Sequence, residues 1–366
     1  MPERVLTTAD RNRALLARQL LLERAKLPLT RALERVAGIQ AQYAPSSYIG
    51  LWSRLESFAL ADLTSALERR RVVQGTLLRS TIHLVSAGDY WAFALGSRAA
   101  RQAGWLRFDK RRLSNTDMKA AAKEVRAMVA GRVVPRVELL ELARQRDPER
   151  PTHLWNGLSA WVELVRAPPS GTWDRRRADL YALAEDWLGP PDISPRQGTD
   201  LLLRRYLRGF GPARLVDAAD WAGLPVADLE SAAEALTLRR FRDEEGRELL
   251  DLPRAPLPGG STRAPVRFLP TWDATLLVHA RATQILPERF RPLVFATKTP
   301  QSTPTFLVGG AVAGKWKFER SAKKATLTLE PFERLPARAK RDLRAEAERL
   351  VHFHEPDAGS HRVSGA

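Results

Sequence analysis

Val36-Ala37-Gly38-Ile39-Gln40-Ala41-Gln42-Tyr43-Ala44-Pro45 is the stretch on which the reading of this chain turns. Leu33, Val36 and Ala37 with Ile39 give the preceding segment a helical apolar face. Pro45 disfavours the α conformation at Ala44, so the helix is expected to stop near Gln40 to Tyr43. Residues i and i+2 do not face each other on a helix but share one side of an extended chain. Gln40 and Gln42 therefore converge only where the chain unwinds. The competing reading is plainer: two amides capping carbonyls at a helix end.

The chain has 366 residues, enough for two to four small domains. Its hydrophobic and charged fractions, 44% and 28%, are those of a soluble globular protein. No apolar run approaches the roughly 20 residues that span a bilayer. Met1-Pro2-Glu3-Arg4 lacks the apolar core of a signal peptide, so a cytoplasmic location is the default expectation. There are no cysteines, which excludes disulfides, thiol nucleophiles, Fe–S clusters and Cys-based zinc sites. The histidines at 83, 153, 279, 352, 354 and 361 form no His-Glu-x-x-His helix, and neither a metal nor a cofactor is expected. Net charge is +17, from 59 basic and 42 acidic residues, mostly arginine among the bases. Such a chain suits a polyanionic partner, and arginine's planar fork suits phosphate. A GC-rich genome would enrich arginine too.

Residues 7 to 70 read as helices, with Thr8 or Asp10, Thr30, Ser46 or Ser47, and Asp62 as starts. Val72 to Arg79 and Ser80 to Val85 are β-rich runs, so helices lead into a short hairpin, the outline of a winged helix. The outline returns with helices over Met118–Val129, Arg136–Arg144 and Leu154–Val165. A wing tip follows at Ala167 to Trp173, and an amphipathic piece at Tyr181–Leu188. It returns again over Leu201–Phe210, Arg214–Ala222 and Val226–Leu236, with a hairpin over Arg239–Leu252 that turns at Glu245-Gly246. Pro253 to Pro265, with four prolines and two glycines, reads as a linker. Strand-like runs follow, among them Leu276–Val278 and Leu293–Phe295. A closing helix covers 336–352, and the last dozen residues read as disordered. The expected fold is α+β: three tandem winged-helix modules over 1–115, 116–190 and 191–255, then a β-barrel-like domain over 256–366.

Several motifs resemble the AlkZ/YcaQ-type winged-helix DNA glycosylases, in the branch with a Gln-x-Gln motif. They are Gly38-Ile39-Gln40-Ala41-Gln42, Arg79-Ser80-Thr81-Ile82-His83-Leu84-Val85, and Arg204-Arg205-Tyr206-Leu207 with Phe210-Gly211-Pro212-Ala213 and Asp220-Trp221. Leu269-Pro270-Thr271-Trp272-Asp273 and Leu307-Val308-Gly309-Gly310-Ala311-Val312 through Trp316 continue the series. No one of them is specific; their shared order is, and it spans about residues 5 to 350. The resemblance implies a monofunctional DNA glycosylase for N7-alkylated purines, extending to interstrand crosslinks. It implies a duplex carrying such purines as partner, no membrane, and a monomer.

By the same resemblance Gln40 and Gln42 map onto the catalytic pair, with Gln42 expected to orient the water and Gln40 to support it. His83 is read either as a contact to phosphate or as a histidine bonded within its hairpin. Asp273 matches a family aspartate, catalytic or, as the preferred reading, part of a turn or salt bridge; His279 is placed beside it as a supporting residue. One departure follows His279, where Ala280-Arg281-Ala282 replaces the family's small residue and Asp-Arg. Another is at Gly310, where Asp-Gly is common. Arg79 and the clusters Arg69-Arg70-Arg71, Arg175-Arg176-Arg177 and Arg239-Arg240 sit near expected helix ends or wings, the parts that reach DNA in a winged helix. For any single cluster a solvated face is an equal reading. A non-catalytic DNA-binding regulator is the alternative function, since winged helices often serve as that.

Overall fold

The computed structural model describes residues 4–110, 112–295, 301–321 and 323–365. The ends of the expected first and last spans, Met1 to Glu3 and Ala366, lie outside them. Thr7, one residue ahead of the expected cap, closes the start of helix Thr8–Arg18. Its hydroxyl accepts from the Asp10 N–H at 3.1 Å, while Asp10 accepts from the Thr7 N–H. Helix Leu29–Val36 stops earlier than expected. Ala37 (φ 66°) and Gly38 (φ 74°) take left-handed conformations, and the Gly38 N–H returns to the Leu33 carbonyl at 2.9 Å. Pro45 does not end this helix; it opens the next. It lies in the first turn of Ala44–Arg54, where a missing N–H costs nothing, and Ser46 and Ser47 are buried inside that helix rather than capping it.

Strands Val72–Thr76 and Ile82–Ser86 pair antiparallel, and the two-residue strand Ile39–Gln40 adds to the outer side of Ile82–Ser86. A second hairpin, Leu164–Arg166 with Leu180–Leu183, carries Val134–Pro135 on its far edge. Gly75 pairs with Val165, so both hairpins belong to one six-stranded sheet. Helices occupy Asn115–Val129, Arg136–Arg146 and Pro151–Leu158. The expected third helix thus gives way to a strand at Leu164, and the amphipathic piece is a strand followed by helix Ala184–Leu188. Helices Pro195–Phe210, Leu215–Ala222 and Val226–Glu234 lead to the third hairpin, Arg239–Asp243 with Glu248–Asp251. Strand Val5–Leu6 lies parallel along it. Helices followed by a hairpin therefore occur three times.

The helix Ala87–Phe108 crosses Pro195–Phe210 at backbone contact. A Cβ on Gly96 would stand 2.6 Å from the Gly198 carbonyl carbon, so neither residue tolerates a side chain. Residues 118–183 hold an apolar core of their own, whereas the largest core draws on residues from Leu15 to Val312.

Beyond the linker the expected barrel is corrected to an open sheet. Arg267–Leu269, Thr305–Val308, Ala311–Ser321, Lys324–Pro331 and Ser360–Gly365 follow in linear order, with no pairing between the first and last. Leu276–Val278 and Leu293–Phe295 are not strands; they lie in 3₁₀ turns and in the helical turn Arg291–Val294, where Pro292 is in the first turn. The tail expected to be disordered forms a parallel strand on Lys324–Leu329, with Val363 buried opposite Leu327. The closing helix is Ala337–His354. Among the described residues no helix is long and apolar enough to cross a membrane.

One fully buried ion pair ties the first helix to the third hairpin. Arg18 donates to both carboxylate oxygens of Asp251, at 2.6 and 2.9 Å, and to the carbonyls of Leu207 and Pro256. Breaking such a pair strands the surviving charge, at a cost of about 3–5 kcal/mol. Arg18→Met is expected to lose stability on that scale in chemical denaturation, and Arg18→Met with Asp251→Leu to recover much of it. A single variant as stable as the parent would show that the pair contributes little.

Candidate active site

The Gln-x-Gln segment leaves its helix and runs against Ile82. The Ala41 N–H donates to the Ile82 carbonyl at 2.7 Å, and the Ile82 N–H donates to Gln42 Oε1, also at 2.7 Å. A backbone N–H can only donate, so this bond fixes which end of the Gln42 amide is oxygen. Gln40, 5% exposed, turns inward and accepts from Arg79 Nη2 at 3.5 Å. It lines a cavity of about 10 Å³ with Gln19, Arg54 and Asp273, room for at most one water. The expected convergence of the two amides is thus corrected. The strand ends at Gln40, side-chain alternation ends with it, and Gln42 faces a different space.

That space is a cleft of about 750 Å³ between the two hairpins of the six-stranded sheet. Thr76, Ser80 and Ile82 join Gln42 on one side. Trp105 and Phe108 come from the long helix, His153 and Trp155 from Pro151–Leu158, and Arg166, Arg177 and Tyr181 from the second hairpin. Trp105 stacks on His153 at 5.2 Å, and His153 is held by Asp109 at 2.7 Å.

Several residues expected to meet DNA face elsewhere. Arg79 (φ 51°) reaches across to the Trp221 carbonyl and is partly buried against the third helical group. His83, 3% exposed, has Nδ1 3.1 Å from the Thr81 carbonyl. Burial, reinforced by the Arg79 charge, pushes its pKa down to about 3. It is a neutral histidine bonded within its hairpin and corrects the phosphate-contact reading. Asp273 is buried in an ion pair with Arg54 at 2.9 Å and accepts from the Thr275 N–H and hydroxyl, a turn and salt-bridge role. His279 packs edge-on against the stacked rings of Phe210 and Tyr206, at 4.6 and 5.6 Å. The departure after it leaves Ala280 buried and Arg281 exposed in a pair with Glu288.

Of the basic clusters, only Arg175-Arg176-Arg177 adjoins the cleft. Arg177 lines it, Arg176 donates to the Tyr43 hydroxyl at 3.1 Å, and Arg175 pairs with Asp179. Arg69 and Arg71 edge a separate groove of about 420 Å³, and Arg70 lies 4.0 Å over the Trp187 ring. Arg239 lies over Phe241 and Arg240 pairs with Glu248. The sequence reading missed Arg136 and Arg166 on the cleft. The available signal for Arg166 was a charge inside the apolar run Leu164-Val165-Arg166-Ala167. Among the described residues no group of three or more His, Asp or Glu side chains is placed to hold a metal ion.

His83, His279 and His354 all have pKa values pushed to about 3 by burial, against 6.5 for a free imidazole. Between those limits the unfolded chain binds more protons than the folded one, so stability is lost as pH falls from 6.5 toward 3. At His279 burial, helped by the Arg79 charge, outweighs a backbone hydrogen bond at Ala274. His279→Phe is therefore expected to lose less melting temperature than the parent between about pH 7 and about pH 4.5. An unchanged pH dependence would count against the burial argument.

In fold the chain is similar to the Streptomyces sahachiroi DNA glycosylase AlkZ, with a TM-score of 0.78 at 19% identity, covering 99% of this chain and 100% of that one. No curated protein matches the sequence. The model of the family described as DNA glycosylase AlkZ-like matches residues 33–353, which takes in the Gln-x-Gln segment, both hairpins of the cleft and most of the open sheet. The chain belongs to the AlkZ-like DNA glycosylases, enzymes of DNA repair that act on DNA.

Proposed function

We propose that the protein is a monofunctional glycosylase that releases N7-alkylated purines, with Gln42 orienting the attacking water. The observation that carries this is the placement of Gln42: its amide is locked by the Ile82 N–H on the wall of the cleft. The locked oxygen keeps a second lone pair for one hydrogen of a water. An N7-alkylpurine carries a positive charge, so it departs as a neutral base and needs no strong general acid. The C1′–N9 bond breaks with its electron pair going to the purine, through an oxocarbenium-like sugar. Water oxygen then bonds to C1′ and one proton passes to solvent. An amide cannot keep that proton, but it can hold the water in line, and its carbonyl dipole favours the developing charge. Gln40 supports at second hand, by holding Arg79 and by pairing opposite His83 in the strand that carries Ile82.

A bifunctional enzyme would need an amine to form a Schiff base with the sugar, and no lysine lines the cleft among the described residues. We read the three helix-and-hairpin groups as winged-helix modules over 1–115, 116–190 and 191–255. The cleft is open between two of them. An open cleft suits a crosslinked purine, which stays tethered to the opposite strand, better than an enclosed base-flipping slot does.

Single-turnover release of 7-methylguanine from methylated duplex tests the reading. Gln42→Ala is expected to lose about 10²- to 10⁴-fold in rate with duplex affinity nearly unchanged, and Gln40→Ala to lose less. Full activity in a stable Gln42→Ala protein would overturn it. Binding without any base release by the parent would favour the non-catalytic alternative.

A further inference from the structure

Arg166 stands out among the buried cations. It ends strand Leu164–Arg166, is 7% exposed and lines the same cleft as Gln42. Nη2 donates to Thr76 Oγ1 at 3.0 Å, and the guanidinium lies 5.4 Å from the Tyr181 ring centre. Nε and Nη1 are buried and have no acceptor among the described residues. The other buried arginines, Arg11, Arg18, Arg54, Arg101 and Arg267, each leave at most one nitrogen, Nε, without an acceptor among the described residues. Arg18, Arg54 and Arg11 face Asp251, Asp273 and Asp243, and Arg101 donates to the carbonyls of Thr76, Ser159 and Ala94. A buried guanidinium with open donors and no counter-charge is costly unless something else completes it.

Arg166 shares the cleft wall with two further arginines. Arg136 and Arg177 also line it, and neither has an ion pair among the described residues. Asp179, the one carboxylate on the cleft wall among the described residues, is engaged by Arg175 and by the Ser170 hydroxyl. Burial lowers the Arg166 pKa, Tyr181 and Tyr90 oppose that, Tyr181 partly through a hydrogen bond, and the like charge of Arg136 adds a little to the lowering. Three guanidinium groups without a counter-charge repel a cationic alkylpurine, so this part of the cleft is not built for the lesion base. They attract a phosphodiester, whose two non-bridging oxygens match the guanidinium fork.

We propose that Arg166, with Arg136 and Arg177, forms a phosphodiester-binding subsite within the cleft, so that the neutral Gln42 wall receives the cationic base and the arginine wall receives a DNA backbone phosphate. The assignment rests on the cleft being where DNA is bound, and it does not depend on Gln42 being catalytic.

The test is binding of undamaged duplex oligonucleotide across a series of potassium chloride concentrations. Each phosphate neutralised contributes about 0.9 to the slope of log affinity against log salt. Arg166→Met is expected to flatten the slope by about that amount and to weaken binding roughly ten-fold or more at the lowest salt. Arg166→Lys is expected to restore the slope but not the full affinity, because a point charge replaces a fork. Thr76→Val removes the protein acceptor and leaves the charge, so its slope should match the parent's. A folded Arg166→Met protein with the parental slope overturns the subsite. Should that variant fail to fold, the Arg136→Ala, Arg177→Ala double variant replaces it, and a parental slope there overturns the proposal equally. Undamaged DNA releases no base, so an active Gln42→Ala enzyme would leave this result standing.

Discussion

Ile82 gives both of its backbone groups to the segment that carries the glutamines, and the site depends on that exchange. Its carbonyl takes the Ala41 N–H and its N–H gives to Gln42. An edge strand offers a row of unpaired groups, and here the row is used as a jig. For Ala41 and Gln42 to reach it, the preceding helix has to stop at Ala37 and Gly38, and the next has to begin at once with Pro45 in its first turn. The left-handed pair and the proline are two halves of one requirement: to pass the segment from Ile39 to Tyr43 across a hairpin edge between two helices.

Charge is distributed on a similar principle. A chain with a net charge of +17 has too few carboxylates for every arginine. Asp251, Asp273 and Asp243 each lie against a buried guanidinium. Low-dielectric interiors penalise an isolated ion far more than water does, so the shortfall falls where anions or solvent can make it up. Most of it lies on the surface, and part of it lines the cleft.

The order of elements was legible because its signals are local. Gly211-Pro212 breaks a helix, Glu245-Gly246 turns a hairpin, and Pro253 to Pro265 carries no regular element in the structure. The family was legible from the order of short motifs. What was not legible depends on partners far away in sequence. Nothing near Gln40 says that Arg79 will take its oxygen, or that Gln42 will be held by a backbone group 40 residues on. The polar tail read as disordered because its pairing strand, Lys324–Pro331, is visible only in three dimensions. Pro45 misled for another reason: the same residue ends one helix or starts another, and only the conformations of Ala37 and Gly38 decide which.

The Arg18–Asp251 pair also has a meaning in time. Its members are 233 residues apart, and the strand Val5–Leu6 waits likewise for its partner at Arg242 and Asp243. On a ribosome adding roughly 5–20 residues per second, that separation is a delay of roughly 10–50 seconds. Throughout it the first helix has emerged with a guanidinium whose counter-ion does not yet exist. Helix Thr8–Arg18 is thus made well before the partner that completes it, and the closing of this part of the core is set by the pace of translation rather than by local folding, which runs in microseconds.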